Sequence, residues 1–496
     1  MTKHDHSTSR ETPPAGIVST ETWESICRQM AEGQYNLLSL WGDDGFVRMA
    51  VWDIDANATH IVSLDCPDGT FPSVARHHLP ALRQERTIRD LFGLAPLDAP
   101  DERPWLDHGK WGVRAPLGQK LPATAPAPYV FLPVEGESLH KIPVGPVHAG
   151  IIEPGHFRFT ASGETVVRLE ERLGYVHKGI EQLMAGADLS HAAKLAGRVS
   201  GDSAVACQLA FARAAENARG IEAPPRAHRL RALMAEMERI ANHFGDIGAI
   251  CNDAAFSLML AHCGVLRERV LRAADACFGH RLMRDVIVPG GVAADIGAKE
   301  IDILRGLLEG LQKDFSRLVQ LYDNTPSLLE RTVGTGVLRS KLARQYAAGG
   351  YIGRASGRDF DARRMVNYPP YGDLQFEVPV RADGDVNARV WIRILEVRQS
   401  LALIGQLLDG LPEGGISAAV PSAPASGEGF ALVEGFRGDI FVWLALGKDG
   451  HVRRCHLRDP SWFQWPLLEA VIEGNIVADF PLCNKSFNCS YSGHDL

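Results

Sequence analysis

Residues 224–245 read Pro-Pro-Arg-Ala-His-Arg-Leu-Arg-Ala-Leu-Met-Ala-Glu-Met-Glu-Arg-Ile-Ala-Asn-His-Phe-Gly, and their apolar positions decide the fold class. Leu230, Leu233, Met234, Met237, Ile240, Ala241 and Phe244 recur every three or four residues, the period of one helix face, while Pro224 and Pro225 sit where a helix starts. The same spacing runs through 265–278, 301–321 and 390–408, which predicts a helix-bundle core. Gly220, Gly279 and Gly410 stand where helix C-terminal caps are expected.

Working outward, residues 21–115 read as a small α+β domain, with a helix near 21–30 and strands near 46–53 and 59–64. Pro116, Pro122, Pro126, Pro128 and Pro133 mark a semi-rigid linker over 116–140. Residues 1–20, polar and proline-bearing, are expected to be a disordered tail. The domain over 141–496 opens with strands and becomes mainly helical. A loop over 410–429, rich in Gly, Pro, Ser and Ala, precedes a final α/β segment. The expected class is α+β.

Composition narrows the function. With 496 residues, 45% apolar and 23% charged, the chain is an ordinary folded polypeptide of more than one domain. A net charge of −8 with no basic block argues against nucleic acid as a partner. Nine scattered cysteines, with no signal peptide before them, predict a reducing, cytoplasmic setting. The longest apolar stretch, 247–263, carries Asn252 and Asp253, so no membrane span is expected.

Generic motifs leave the activity open. There is no Cys-x-x-Cys, His-Glu-x-x-His, Gly-x-Ser-x-Gly or phosphate loop, and Gly334-Thr335-Gly336 reads as a turn. Charge pairs such as Glu236 with Arg239 are expected to be structural, and His77-His78 and Cys251 have no companion ligands at metal spacing.

Longer strings are more specific. Glu85-Arg86-Thr87-Ile88-Arg89-Asp90-Leu91-Phe92-Gly93 and Asp101-Glu102-Arg103-Pro104-Trp105-Leu106 resemble the 30-kDa subunit of respiratory complex I. Val144-Gly145-Pro146-Val147-His148, Glu153-Pro154-Gly155-His156-Phe157-Arg158 and Leu173-Gly174-Tyr175-Val176-His177-Lys178-Gly179-Ile180-Glu181 lead a second series. It continues with Glu330-Arg331-Thr332-Val333-Gly334, Arg354-Ala355-Ser356-Gly357, Glu434-Gly435-Phe436-Arg437-Gly438-Asp439, and Asp459-Pro460-Ser461 through Asp479. This series resembles the 49-kDa subunit of complex I and the large subunit of group 4 nickel–iron hydrogenases of the formate hydrogenlyase and hydrogenase-4 type.

The resemblance implies a 30-kDa-like domain fused to a 49-kDa-like one in an oxidoreductase complex on the cytoplasmic face of the membrane. It implies a small iron–sulfur subunit carrying a 4Fe–4S cluster, a ferredoxin-like subunit and antiporter-like membrane subunits as partners. The family label carries NAD, but no motif here supports NADH binding. In the hydrogenases two Cys-x-x-Cys pairs hold the metals; the matching positions here are Ser200, Ser203, Ser490 and Gly493, and Cys207 replaces a histidine. A serine hydroxyl stays protonated and is a hard donor, so this set argues against nickel and against hydrogenase activity. Cys207, Cys483, Cys489 and His494 are a conceivable replacement metal set if the C-terminus folds back against the helix after Arg198 as the resemblance implies, but free buried cysteines are commonly just small apolar residues.

In complex I the resemblance assigns quinone to a histidine and a tyrosine. His156, or else His148, matches the histidine, but Gly201 stands at the tyrosine and offers no phenol. Asp253 matches an acidic partner, so a His156–Asp253 pair is expected as one alternative and a purely structural histidine as the other. Ser200 or Asp202 is expected to cap a helix over 204–218, the alternative being that Asp202 titrates near neutrality and couples to proton movement. His156, Asp202 and Asp253 are thus the candidate cavity residues. The expected role is coupling of electron transfer on a partner to the membrane arm with no cofactor held by this chain; a quinone-reducing subunit and a non-catalytic scaffold are the alternatives.

Overall fold

The computed structural model describes residues 16–122, 128–421 and 425–496. Residues 1–15 of the expected tail, 123–127 of the expected linker and 422–424 of the expected loop over 410–429 lie outside the described residues. Residues 16–20 of the expected tail are structured: Gly16–Ile17 (β1) pairs in parallel with Val62 and Ser63, and Ser19 caps the helix that follows.

The described chain forms two compact units: residues 16–102 with 112–122, and residues 103–111 with 128–496. In the first, α1 (Thr20–Ala31) is followed by an antiparallel meander of β2 (Tyr35–Asp43), β3 (Phe46–Asp53) and β4 (Ala58–Asp65). α1 buries Trp23, Ile26, Cys27 and Met30, the three–four spacing that its sequence shows. β5 (Thr70–Pro72), α2 (Leu82–Phe92) and β6 (Ala95–Leu97) follow, and the short pair β7 (Val113–Arg114) and β8 (Leu121–Pro122) ends the unit. Glu85 of α2 accepts from Ser73 Oγ at 2.9 Å and from the amides of Val74 and Ala75, fastening the helix to the preceding loop.

The second unit opens with the antiparallel sheet β9 (Leu139–Val144), β10 (His156–Ser162) and β11 (Thr165–Arg172), then α3 (Ile180–Met184) and α4 (Leu189–Ala196). Its core is the bundle of α5 (Ala204–Arg219), α6 (Pro225–Asp253), α7 (Ser257–Phe278) and α8 (Ala298–Asp323). The strand pair β12 (Ile287–Val288) and β13 (Gly291–Val292) and the short helices α9 (Pro326–Thr332), α10 (Ser340–Gln345), α11 (Gly350–Ala355) and α12 (Ala362–Met365) lead to the long α13 (Val386–Asp409). The antiparallel sheet β14 (Gly427–Gly435), β15 (Gly438–Leu446) and β16 (Val452–Arg458) packs on α5; α14 (Ser461–Ile472), α15 (Phe480–Phe487) and α16 (Tyr491–Asp495) close the chain.

All seven apolar positions picked out on α6 are buried. The helix runs two turns beyond Phe244 because Ile247, Ile250 and Cys251 continue the buried stripe. It is also buried on its charged side: Glu236 meets Arg239 at 3.3 Å and Arg363 at 3.0 Å, so these charges are structural. Gly220 and Gly279 cap their helices with left-handed backbone, φ 63° and 75°, whereas Gly410 caps α13 without it, at φ −99°. Among the described residues no helix is long and apolar enough to cross a membrane.

Candidate functional site

The turn before α5 and the last residues of the chain, nearly three hundred positions apart in sequence, meet inside the second unit. Ser200 Oγ lies 2.9 Å from Ser490 Oγ and donates to Asp202 Oδ1 at 2.7 Å. The donors therefore run one way. The Gly493 amide donates to Ser490 Oγ at 2.9 Å, the Ser490 hydroxyl donates to Ser200, and the Ser200 hydroxyl donates to Asp202. A carboxylate terminates the chain.

Arg437 holds that carboxylate. Its two terminal nitrogens donate to the two Asp202 oxygens, one at 2.7 Å; one also reaches Ser203 Oγ at 3.3 Å, and Nε donates to the Asn488 carbonyl. The guanidinium and the Ser200 hydroxyl hold Asp202 down at about 2, against the burial that would raise it. Asp202 does not titrate near neutrality. Nor does it cap α5: Ser203 occupies the cap position, and the Val205 and Ala206 amides are taken instead by Glu238 of α6, at 2.7 and 3.1 Å. Burial raises Glu238 to about 8 although these two amides pull the other way.

Arg437 reaches the site from the two-residue turn between β14 and β15. Gly350 makes room for that turn, since a Cβ there would stand 2.0 Å from the Arg437 carbonyl, and its φ of +60° suits glycine. Ser490 is fixed by its own backbone: its amide donates to the Ser461 hydroxyl oxygen at 2.8 Å, and its carbonyl accepts from Trp465 Nε1 at 3.2 Å. Gly493 faces Asp459, whose Oδ2 is buried without a hydrogen-bond partner and would lie 2.7 Å from a Cβ at 493.

Lys178 ties the two segments together, its Nζ donating to the carbonyls of Val199 at 3.1 Å and Ser492 at 3.3 Å. The Ser492 amide donates to Glu153 Oε2 at 3.0 Å, which links α16 to the β9–β10 loop. Asp495 accepts from the amides of Gly174 and Val176, and His494 is sandwiched between Asp495 Oδ1 at 2.9 Å and the Trp105 indole N–H at 3.3 Å, stacked on Trp462.

The other candidates are not gathered here. His156 Nδ1 faces the Gly145 carbonyl at 3.3 Å, its ring lies against Phe131, and its Nε2 is buried without a partner. Burial lowers its pKa. Asp253, half-buried at the end of α6, has Asn252 as its neighbour at 3.5 Å. The expected His156–Asp253 pair does not form: His156 turns Nδ1 to the Gly145 carbonyl and leaves Nε2 unpartnered, while Asp253 accepts from Asn252. The conceivable metal set fails likewise. Both ring nitrogens of His494 are engaged, and Cys483 packs against Gly336 and Arg389. Among the described residues no group of three or more His, Cys, Asp or Glu is arranged to hold a metal.

The bundle and sheet that carry this constellation are similar to those of a known protein. Residues 17–127 match the family described as the respiratory-chain NADH dehydrogenase 30-kDa subunit, and residues 246–426 match its 49-kDa subunit. The chain belongs to this complex I family. It is 31% identical over 454 residues to formate hydrogenlyase subunit 5 of Escherichia coli, covering 88% of this chain and 78% of that one. It is 30% identical to hydrogenase-4 component G of the same organism, over 87% and 77% of the two chains. An NADH-quinone oxidoreductase subunit of Dehalococcoides mccartyi is 32% identical, over 68% of this chain and 92% of that one. A solved structure of a membrane-bound sulfane sulfur reductase, an archaeal respiratory membrane complex, is similar with a TM-score of 0.69 at 27% identity, covering 74% of this chain and all of that one. These relatives include subunits of membrane-bound hydrogenase and complex I-like assemblies, as the strings over 85–106 and 144–479 imply.

Sequence reasoning passed over three residues of the site. Arg437 lies inside the string Glu434–Asp439, but nothing local marks its partner, 235 positions away. Glu238 reads as one charge among several on α6, and the burial of that face is what gives it a helix terminus to hold. Lys178 lies in the string Leu173–Glu181, and only the fold shows the two carbonyls that it joins.

Proposed function

We propose that this chain is a subunit of a membrane-associated complex related to complex I and hydrogenase-4, in which it couples electron transfer on a partner iron–sulfur subunit to the membrane arm without a nickel site of its own. The observation that carries this reading is the Ser490–Ser200–Asp202–Arg437 chain. Its two serines stand at two of the four positions at which the resemblance would place thiolates.

The residues do not fit a nickel–iron centre. The four matching positions supply three neutral hydroxyls and a hydrogen atom, and two of the hydroxyls are bonded directly to each other. The Asp459 oxygen crowds the fourth position. The usual quinone clamp does not fit either, since Gly201 has no donor to offer.

The chain's own residues suit a relay of position. A negative charge arriving on a neighbouring cluster alters the field at the Asp202–Arg437 pair. Ser200 and Ser490 pass any shift of that pair to α16, and Glu153 passes it to the β9–β10 loop, which carries the exposed Val147 and Ile151. A second reading, a site that reduces quinone or another small oxidant, is favoured by the orphaned His156 Nε2.

The test is purification of the intact assembly from membranes through a tag on this chain. The proposal expects iron–sulfur and antiporter-like membrane subunits to accompany it, and His156→Ala to leave turnover intact. A chain recovered alone would overturn the proposal; loss of turnover in His156→Ala would establish the second reading in its place.

A further inference from the structure

One face of the β9–β10–β11 sheet is charged. In register, His156 stands opposite Arg172, Arg158 opposite Glu170 and Thr160 opposite Arg168, and the two-residue period of a strand puts all six side chains on that face. Residues 128–134, the later part of the expected linker, run across it. Tyr129 and Phe131 turn to the sheet, while Val130 and Leu132 between and after them are 72% and 42% exposed. The Phe131 ring lies 5.2 Å from the His156 imidazole and 3.7 Å from the Arg158 guanidinium carbon, and Tyr129 lies 4.4 Å from that of Arg172.

Side chains hold this segment down. Among the described residues no backbone–backbone hydrogen bond joins 128–134 to a strand. The Val130 carbonyl accepts from Arg103 Nη1 at 2.9 Å, the Pro133 carbonyl accepts from Arg168 Nη2 at 2.8 Å, and the Leu132 amide donates to Glu170 Oε2 at 2.9 Å. Glu170 Oε1 also accepts from Arg103 at 2.5 Å, so one buried carboxylate fastens both the segment and the arginine that grips it. A segment pinned in this way opens without breaking a strand ladder.

Beneath it lies a nitrogen with no partner. His156 Nδ1 faces the Gly145 carbonyl, and Nε2 is buried and unbonded, although buried polar atoms are ordinarily satisfied. We propose that residues 128–134 are a strap that closes over His156, with Glu170 as its catch and Phe131 as its cover, and that release of the strap opens His156 Nε2 to molecules from solution. This goes beyond the function proposed above and does not rest on it, because the strap, the catch and the histidine all belong to this chain.

The experiment labels the purified full-length chain with diethyl pyrocarbonate at about pH 7 and follows each histidine by peptide mass spectrometry. Burial lowers the His156 pKa, so its imidazole is neutral there and reacts once it is reached. In wild type His156 should react at least about tenfold more slowly than the exposed His262, and Phe131→Ala and Glu170→Ala should each remove about tenfold of that protection. Val130→Ala, which changes an outward side chain, should leave it as it is. His243, fully buried in the bundle, should stay unlabelled in every variant, which separates strap opening from unfolding. Phe131→Ala alters a part-exposed ring and answers the question even if Glu170→Ala fails to fold. A wild-type His156 that reacts as fast as His262, or one that stays protected in Phe131→Ala, overturns the proposal.

Discussion

Replacing Arg437 with methionine leaves the Asp202 carboxylate inside the second unit without its cation. In the folded protein Asp202 is held at about 2, against roughly 3.9 in an unfolded chain, a difference equivalent to about 2.6 kcal/mol at neutral pH. A third of its side chain is exposed, so solvent screening reduces this by about half. Loss of the donors to Ser203 and Asn488 adds about 1 kcal/mol, giving roughly 2–3 kcal/mol in all. For a unit of this size that lowers Tm by roughly 3 °C, readable by thermal unfolding of the purified chain. The sign with pH follows. A depressed carboxylate stabilises the fold above its unfolded pKa and loses that effect as pH falls through its folded value, so wild type and Arg437→Met should converge between about pH 4 and 2. Adding Asp202→Asn removes the stranded charge and should restore about half of the loss. If the single and double variants melt alike, or if Arg437→Met is indistinguishable from wild type at pH 7, the electrostatic reasoning is wrong.

Ser490→Ala removes the cap of α16 and the link to Ser200, and should cost about 1–2 kcal/mol in denaturant unfolding, whereas Ser203→Ala, with its single 3.3 Å contact, should cost less than about 0.5. Gly350→Ala places a Cβ against the Arg437 carbonyl at a positive φ and should destabilise by about 3 kcal/mol or block folding, seen as loss of soluble protein. Glu238, raised to about 8, stays protonated in the fold but ionises in the unfolded chain, so stability should fall as pH rises from about 4 to 8. Glu238→Gln should flatten that slope by up to about 1.4 kcal/mol per pH unit, measured by denaturant titration at pH 6 and 8.

The helices were legible because burial imposes a period that survives in the amino-acid order. α6 declared itself through seven apolar positions and two prolines, and its end was misplaced only because Ile247 and Ile250 continue the stripe past a glycine at 245. The serine positions were legible as the counterparts of the two Cys-x-x-Cys pairs of the hydrogenases that the chain resembles. Their chemistry was not, because it depends on contacts distant in sequence: Asp202 reads as a cap or a titrating acid, but Glu238 takes the amides at the helix start and Arg437 keeps the Asp202 carboxylate ionised. His156 and Asp253 were coupled by analogy alone, and the Gly145 carbonyl and Asn252 lie nearer. Residues 103–111 pack within the second unit through Trp105, whose indole meets His494 some 389 positions away, a contact that no local pattern encodes.

The most direct test is elemental analysis of the intact membrane assembly alongside an assay for dihydrogen. With hydroxyls and a bare α-carbon at the positions that would bind the metals, the account predicts iron and sulfide from the partner, nickel at trace level only and no dihydrogen evolution. Nickel at about one atom per chain, or dihydrogen formed by the purified assembly, would contradict it.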